Sequence, residues 1–445
     1  MPLCRFIRCF LAFLARSCSR RNFFGLHLPF LILWSLSLQR DALAVVASQF
    51  SLSVGEEYND NIFFTEDKEH DFITHIFPTF SLFYAPAGQT VPVFTADFTP
   101  IGQIFADHGE ESNFGDNIRF RTNYIYRYSP RITFHAADTL RRLGQTRTAF
   151  GDGFLTGSPG FSRAVPSGVL SPQSSQELDD FISRGDQLTN RFSLGARYEH
   201  SPSLSFTSDY NFGYTTFLDA GGRDISHSVG ARGFYRWREE HNLHAGYSIS
   251  IIKSRNGDDN IVHNFDIGDD YFSSLQIDLS PTLTILTSAG IGLNSNSSGP
   301  RISGRVNVTA IKIWERATLS GGVRKGLTPS FGVGGISDTT SFFTAFNIRI
   351  TEFLTGLAAV DYSLYDTDDV NFNTFQASTG LQYRFTSWLS SNLGYAHRRR
   401  GAGSGATSTD LLEKGTVNSN SVFLFFTTRF DVWPNIGFAR GQFIP

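Results

Sequence analysis

Beyond residue 18 the sequence contains no sulfur: Cys4, Cys9 and Cys18 and the single methionine, Met1, all lie at its start. The rest of the chain can therefore form no disulfide, thiolate metal site or cysteine nucleophile. Long apolar runs are also missing. Past the first 45 residues no stretch approaches the roughly 20 apolar residues that a helical span needs, which excludes a multi-span helical membrane protein. There is no basic excess, since 38 Lys and Arg stand against 41 Asp and Glu. A nucleic-acid partner is not expected, because its electrostatic footprint is absent. Gly-x-Ser-x-Gly, His-Glu-x-x-His, phosphate-loop and dinucleotide patterns are likewise missing, and no cofactor is expected.

What the chain has instead is phenylalanine. It carries 44 Phe, and aromatics make up 14% of its 445 residues, yet its hydrophobic fraction is only 40%. The aromatics are spread thinly among polar residues, without a break that would divide the chain into domains. The first 44 residues read as a secretory signal: Arg5, Arg8, Arg16, Arg20 and Arg21, then an apolar stretch from Leu26 to Leu38, then small residues at Ala42 and Ala44. Removing residues 1–44 takes away six Arg and one Asp. That leaves 32 basic and 40 acidic residues, a net charge of −8. The expected organisation is a leader over 1–44, a barrel over 45–430 and a tail over 431–445.

From Gln49 onward apolar and polar side chains alternate over segments of roughly 10 to 15 residues, the period of strands between two environments. In 117–128, Ile118, Phe120, Tyr124, Tyr126 and Tyr128 oppose Asn117, Arg119, Arg121, Asn123 and Arg127. In 187–199, Leu188, Phe192, Leu194 and Tyr198 oppose Gln187, Arg191, Ser193, Arg197 and Glu199. The stretches 204–218 and 421–430 repeat the split. A soluble sandwich would alternate too, so the connections decide between the two.

Short turns at Tyr84–Gln89, Ser129-Pro130, Ser201-Pro202, Glu239-Glu240, Ser280-Pro281, Glu315-Arg316, Thr351-Glu352 and Thr386-Ser387 alternate with longer polar connections. The latter lie near 58–70, 105–113, 144–186, 219–223, 255–262, 295–300, 328–338, 366–371 and 401–418. Eight turns and nine loops give 18 strands (16 is the nearest alternative) in an all-β, antiparallel up-and-down transmembrane barrel. Its short turns face the periplasm and its long loops face outward. Aromatics beside the turns, such as Tyr126, Tyr128, Tyr235, Trp237, Trp314 and Trp388, are expected at headgroup level.

The opening residues Tyr58-Asn59-Asp60-Asn61-Ile62-Phe63, then Asp71-Phe72-Ile73-Thr74, then Pro78 inside a strand, resemble the β-barrel porin type 2 family. That resemblance implies an outer-membrane barrel of diderm bacteria, often associated with exopolysaccharide systems, without catalytic residues to carry over. Family members usually end on a strand finishing in Phe, and Val422 to Phe430 fits this assembly-signal pattern. Here, however, fifteen further residues, Asp431 to Pro445, follow Phe430. The partners so implied are outer-membrane lipid and lipopolysaccharide, the barrel-assembly machinery and components of polysaccharide export.

If the apolar face meets lipid, the opposite face lines the lumen. Its basic members are Arg119, Arg121, Arg127, Arg191, Arg197, Arg232, Arg236, Arg305, Arg324, Arg349, Arg384 and Arg429. Its acids are Asp97, Glu199, Asp209, Asp266, Asp270, Asp278 and Asp361. Guanidinium groups in a low-dielectric wall focus positive potential on the axis, so the expected function is a porin-like channel for small, preferentially anionic solutes or for a secreted polysaccharide. The structural reading of the same residues is that Arg and Asp pair to stiffen the wall. The alternatives are a scaffolding surface barrel without channel activity, and an outer-membrane lipid or glycan hydrolase. The 43 residues of 144–186 are either an inward constriction or a surface loop. Asp366, Asp368, Asp369 and Asn371 form either a divalent-cation site or a solvated loop tip.

Overall fold

In lipid every backbone N–H and C=O must find its partner within the protein, so a sheet that crosses a membrane has to close on itself. The computed structural model shows that closure. It describes residues 45–85, 93–144, 186–218, 221–254, 259–273, 283–296, 299–330, 335–366, 371–402 and 415–432. These form 18 antiparallel strands. In chain order they are β1 (Val45–Asn59), β2 (Asp71–Ala85), β3 (Phe94–Phe105), β4 (Asn113–Ser129), β5 (Ile132–Leu143) and β6 (Gln187–Ser201). There follow β7 (Leu204–Phe217), β8 (Arg223–Arg236), β9 (His241–Lys253), β10 (Asp259–Ser273), β11 (Leu283–Asn296) and β12 (Gly299–Ile313). The last six are β13 (Ala317–Ser330), β14 (Gly335–Arg349), β15 (Leu354–Asp366), β16 (Asn371–Arg384), β17 (Leu389–Ala402) and β18 (Val417–Asp431). Each strand pairs with its sequence neighbours, and β1 pairs with both β2 and β18, so no edge strand remains.

The sequence explains the short connections. Ser129 Oγ accepts the amides of Arg131 and Ile132, and Ser201 Oγ accepts those of Ser203 and Leu204. Thr351 and Thr386 hydroxyls do the same for the residues two and three ahead. One hydroxyl at the start of a turn thus satisfies two amides that the ladder cannot reach. The connections expected near 295–300 and 328–338 are shorter than that, the latter because pairing runs on to Ser330↔Gly335. β11 and β12 are joined by only 297–298, because pairing between Asn296 and Gly299 continues the ladder to the tip. The Ser280-Pro281 turn falls within 274–282, outside the described residues, as do 1–44, most of 144–186 and the tail beyond 432.

Outward positions are apolar and exposed along every strand, among them Leu194, Phe206, Val229, Phe265, Ile291, Val360, Leu393 and Phe426. Tyr128, Tyr235, Trp237, Trp314, Phe353, Phe385 and Trp388 gather at the short-turn end, the arrangement of an interfacial girdle. Inward positions are mostly polar, and side chains there reach over intervening strands. Arg232 on β8 and Arg305 on β12 both approach Asp266 on β10, at 2.8 and 3.5 Å. Only the concave side of a curved sheet brings such residues together.

Three apolar clusters interrupt the polar interior. Phe77, Phe423 and Phe425 pack with Ile101 beside the seam between β1 and β18. Two of these rings lie over cross-strand glycines: Phe423 faces Gly394 and Phe425 faces Gly55, where any Cβ would collide with the ring. Ile62, Ile73 and Phe105 form a second cluster under the β1–β2 connection, and Ile252, Val262, Leu327 and Ile336 form a third.

The outward face of β6 offers a direct test. Leu194→Arg, in the middle of the strand, should cost about 2–4 kcal/mol in vesicles, whereas Ser193→Arg on the inward face should cost much less. Reversible urea unfolding of the two variants in lipid vesicles measures the difference, and equal costs would reverse the assignment of faces.

Candidate functional site: the barrel interior

Strand register decides which residues share the interior, because directly opposed residues of an antiparallel pair point to the same side. Starting from buried Glu57 and Asn59, that parity passes through Asp97↔Arg121, Thr99↔Arg119, Thr139↔Arg191 and Thr207↔Arg232. It places Arg119, Arg121, Arg127, Arg191, Arg197, Arg232, Arg236, Arg305, Arg324, Arg349, Arg384 and Arg429 inward. Asp97, Glu199, Asp209, Asp266, Asp270 and Asp361 share that side, and Asp278 lies outside the described residues.

Sequence alternation missed Arg141, Arg398 and Arg400, which register also places inward. They sit in the runs Arg141-Arg142 and Arg398-Arg399-Arg400, where consecutive identical residues erase the period-two signal. Only pairing assigns Arg142 and Arg399 to the other face.

These charges are not evenly spread. On β8–β12 they neutralise one another: Asp266 takes Arg232 and Arg305 and lies 3.9 Å from His244, which is itself 3.6 Å from Asp270. On β4–β6 the balance is basic. Arg119 and Arg141 stand directly opposite each other, Arg121 and Arg191 flank Thr139, and Arg127 and Arg197 flank Thr133. Like charges placed opposite one another cost stability unless an anion or counter-charge reaches them. The inward acids on this wall and on the flanking β3 and β7 are Asp97, opposite Arg121, Glu199, 3.4 Å from Arg197, and Asp209, opposite Gly195 of β6.

Residues Tyr58, Asn59, Asp60, Asn61, Asp71 and Phe72 lie at the outer rim, where they tie the first strand to the last. Asn59 accepts the amide of Asn61 (2.9 Å) and the hydroxyl of Ser419 (2.8 Å). Asp60 accepts both the amide (2.6 Å) and the side-chain NH2 (2.8 Å) of Asn420, together with Lys68 (2.9 Å). Asn61 donates to the carbonyls of Thr65 and Asn418. Asp71 accepts the amides of Ala106, Asp107 and His108 and the ring of His108. Tyr58 and Phe72 pack together on the outside with centroids 5.1 Å apart. Pro78 faces out of β2, and the β2–β3 ladder breaks between Ile76 and Phe80, where Pro78 and Pro100 supply no amides.

The connection over 60–70 folds inward. Phe64 lies 5.5 Å from the Arg400 guanidinium, which is 2% exposed, and beneath this region His75 and Glu57 form a fully buried pair at 2.9 Å. Phe430 faces outward at the short-turn end, opposite Phe50. Among the described residues no cluster of His, Cys, Asp or Glu is arranged to hold a metal; Asp366 is engaged by Arg301 at 2.8 Å, and Asp368 and Asp369 lie outside the described residues.

No family model matches the chain, and no curated protein matches its sequence. Solved structures do match. OpdL of Pseudomonas aeruginosa is 10% identical with a TM-score of 0.47, over 87% of this chain and 99% of that one. OccK2 (OpdF) of the same organism is 12% identical at 0.47, over 87% and 98%. It has also been solved with glucuronate, in a structure 11% identical at 0.46 over the same shares. Similarity at this level adds no argument to the fold, which rests on the chain's own pairing. Membership of the porin type 2 family remains a resemblance.

Two tests follow from the rim. Asp60→Ala removes three charge-assisted contacts between β1, its connection and β18. It should cost about 1.5–3 kcal/mol and raise amide exchange at Asn420 before that of mid-strand residues. Burial acts first to raise the Asp60 pKa, but its bonds to Asn420 and Lys68 outweigh that and hold the carboxyl below its ordinary value. At His108 the bond to Asp71 raises the pKa; burial opposes it and Glu69 adds to it. A raised value means that protonated His108 stabilises this connection fully below its ordinary pKa of 6.5 and loses that effect as pH climbs through the raised one. Protection of the Asp107 and His108 amides should therefore be greater at pH 6 than at pH 8, after correction for intrinsic exchange; protection independent of pH would contradict the assignment.

Proposed function

We propose that this chain is an outer-membrane channel that passes small solutes and prefers anions. The observation that carries the reading is the basic wall of β4–β6, where Arg119, Arg121, Arg127, Arg141, Arg191 and Arg197 share the interior side of a closed 18-stranded barrel. Barrels of 16 to 18 strands are wide enough to hold water, whereas eight strands are filled by their own side chains. An anion on the axis meets a positive potential on this side, while on β8–β12 Asp266 is paired with Arg232 and Arg305. Two of the matching solved structures carry small carboxylates, OccK2 with glucuronate and OpdK with vanillate. Those ligands are of the class proposed here, but the argument stands on the arginines alone.

Passage of a secreted polysaccharide finds no support in the described interior. The location proposed is the outer membrane, with lipid and lipopolysaccharide around the apolar belt and Phe430 at the end of β18 as the residue read by the barrel-assembly machinery. Residues 1–44 are proposed to serve as the export signal.

Refolded protein in planar bilayers under a salt gradient tests the channel. The native barrel should conduct with an anion-selective reversal potential, and Arg119→Gln, Arg121→Gln and Arg197→Gln together should move that potential towards the cation side. Absence of conductance would favour a scaffolding barrel, and an unchanged potential would remove the role given to the wall.

A further inference from the structure

The ladder between β12 and β13 stops halfway. It comprises eight pairs, from Ile313↔Thr318 at the short-turn end to Val306↔Lys325, fewer than any other seam among the described residues. Both strands continue outward beyond that point. β12 remains paired with β11 as far as Gly299, and β13 remains paired with β14 as far as Ser330. The outer parts of β12 (299–305) and β13 (326–330) are therefore regular strands that no longer pair with each other.

Local residues account for the parting. Pro329 supplies no amide to a ladder, and Gly326 precedes it without a side chain to pack. Leu327 of β13 and Ile336 of β14 stand at outward-facing positions of their strands, yet both are buried: Leu327 lies against the inward side of Gly292 of β11, and with Ile336 it packs on the inward-facing Ile252 and Val262 of β9 and β10. This outer end of the β13–β14 pair has leaned inward across β11 and β12. Side chains tie the overlap: Ser303 Oγ donates to Asp338 Oδ2 at 2.6 Å and Arg301 pairs with Asp366 at 2.8 Å, so the inward face of β12 meets outward-facing positions of β14 and β15 past β13.

The height of the gap matters. Eight residues at about 3.3 Å each, tilted by about 40°, rise roughly 20 Å from the short-turn end, less than the apolar belt of about 25 Å. The parting thus begins inside the outer leaflet. The outward residues at its edge agree, since Ile302 is 72% exposed and stands beside Leu293 and Ile291 of β11. Unpaired backbone facing hydrocarbon costs several kcal/mol per group, so an empty gap at this level is unfavourable. A molecule that brings both hydrogen-bonding groups and an apolar chain would relieve it.

We propose that the outer part of the β12–β13 seam is a lateral portal between the barrel interior and the outer leaflet, and that it admits an amphiphile. The acyl chain lies against Leu327 and Ile336, and the headgroup bonds at the level of Arg301 and Ser303. This goes beyond the passage of small solutes along the axis, and it depends only on the barrel spanning a bilayer.

Because all the chain's cysteines lie at positions 4, 9 and 18, replacing them with Ser gives a background for single labels. Bimane is attached at Leu327→Cys or, as a second variant should the first misfold, at Ile336→Cys. The protein is then reconstituted in vesicles of phosphatidylcholine with brominated acyl chains. Asn211→Cys, inward on the intact wall of β7, sets the level of quenching through the sheet, and Ile302→Cys sets the level for direct lipid contact. Quenching at 327 or 336 at least twofold above that at 211 is expected. Quenching there no greater than at 211, with Ile302→Cys quenched, overturns the portal. A barrel that carried no current would leave this readout unchanged, so failure of the channel reading and failure of the portal are separately visible.

Discussion

The structure depends on the price hydrocarbon sets on an unpaired peptide group. With no water to bond to, each strand must have a neighbour on both sides, and the chain satisfies this by returning β18 to β1. That seam joins residues nearly 400 positions apart, so it forms at a large cost in chain entropy. The chain reinforces it at both levels. Phe423 and Phe425 cover Gly394 and Gly55 on the inside, and Asn59, Asp60 and Asn61 bond to residues 418–420 at the rim. The Tyr-Asn-Asp-Asn element therefore has a structural use that is independent of any solute.

Closure also organises the charges. Once strands curve into a cylinder, inward side chains two strands apart come within reach, and Asp266 can take arginines from β8 and β12 together. The inward side of β4–β6 is rich in arginine, and that of β8–β12 is organised around Asp266. On β8–β12 Arg232 and Arg305 are tied to Asp266, and on β4–β6 six arginines share the inward side, the feature on which the proposed anion preference rests.

Much of this was legible from residue order. Alternation in 117–128, 187–199 and 204–218 assigned faces that register agrees with, because a period of two survives any amount of twist. Ser-Pro, Thr-Glu and Thr-Ser located the described short connections at 129, 201, 351 and 386, and Glu-Glu and Glu-Arg those at 239 and 315. The basic runs at 141–142 and 398–400 were illegible for the opposite reason, since repeated residues carry no phase. Folding of 60–70 over the interior was not visible either. Its anchors, Ile73, Phe105 and Arg400, come from three different strands.

Local order by itself determined the strands, their number, their faces and the turns that join them, because each depends on residues within a few positions of one another. Tertiary structure alone decided which charges meet, where the β1–β2 connection rests, and where β12 and β13 part. Those outcomes depend on curvature, which sets distances between residues far apart in sequence, and no local pattern encodes curvature.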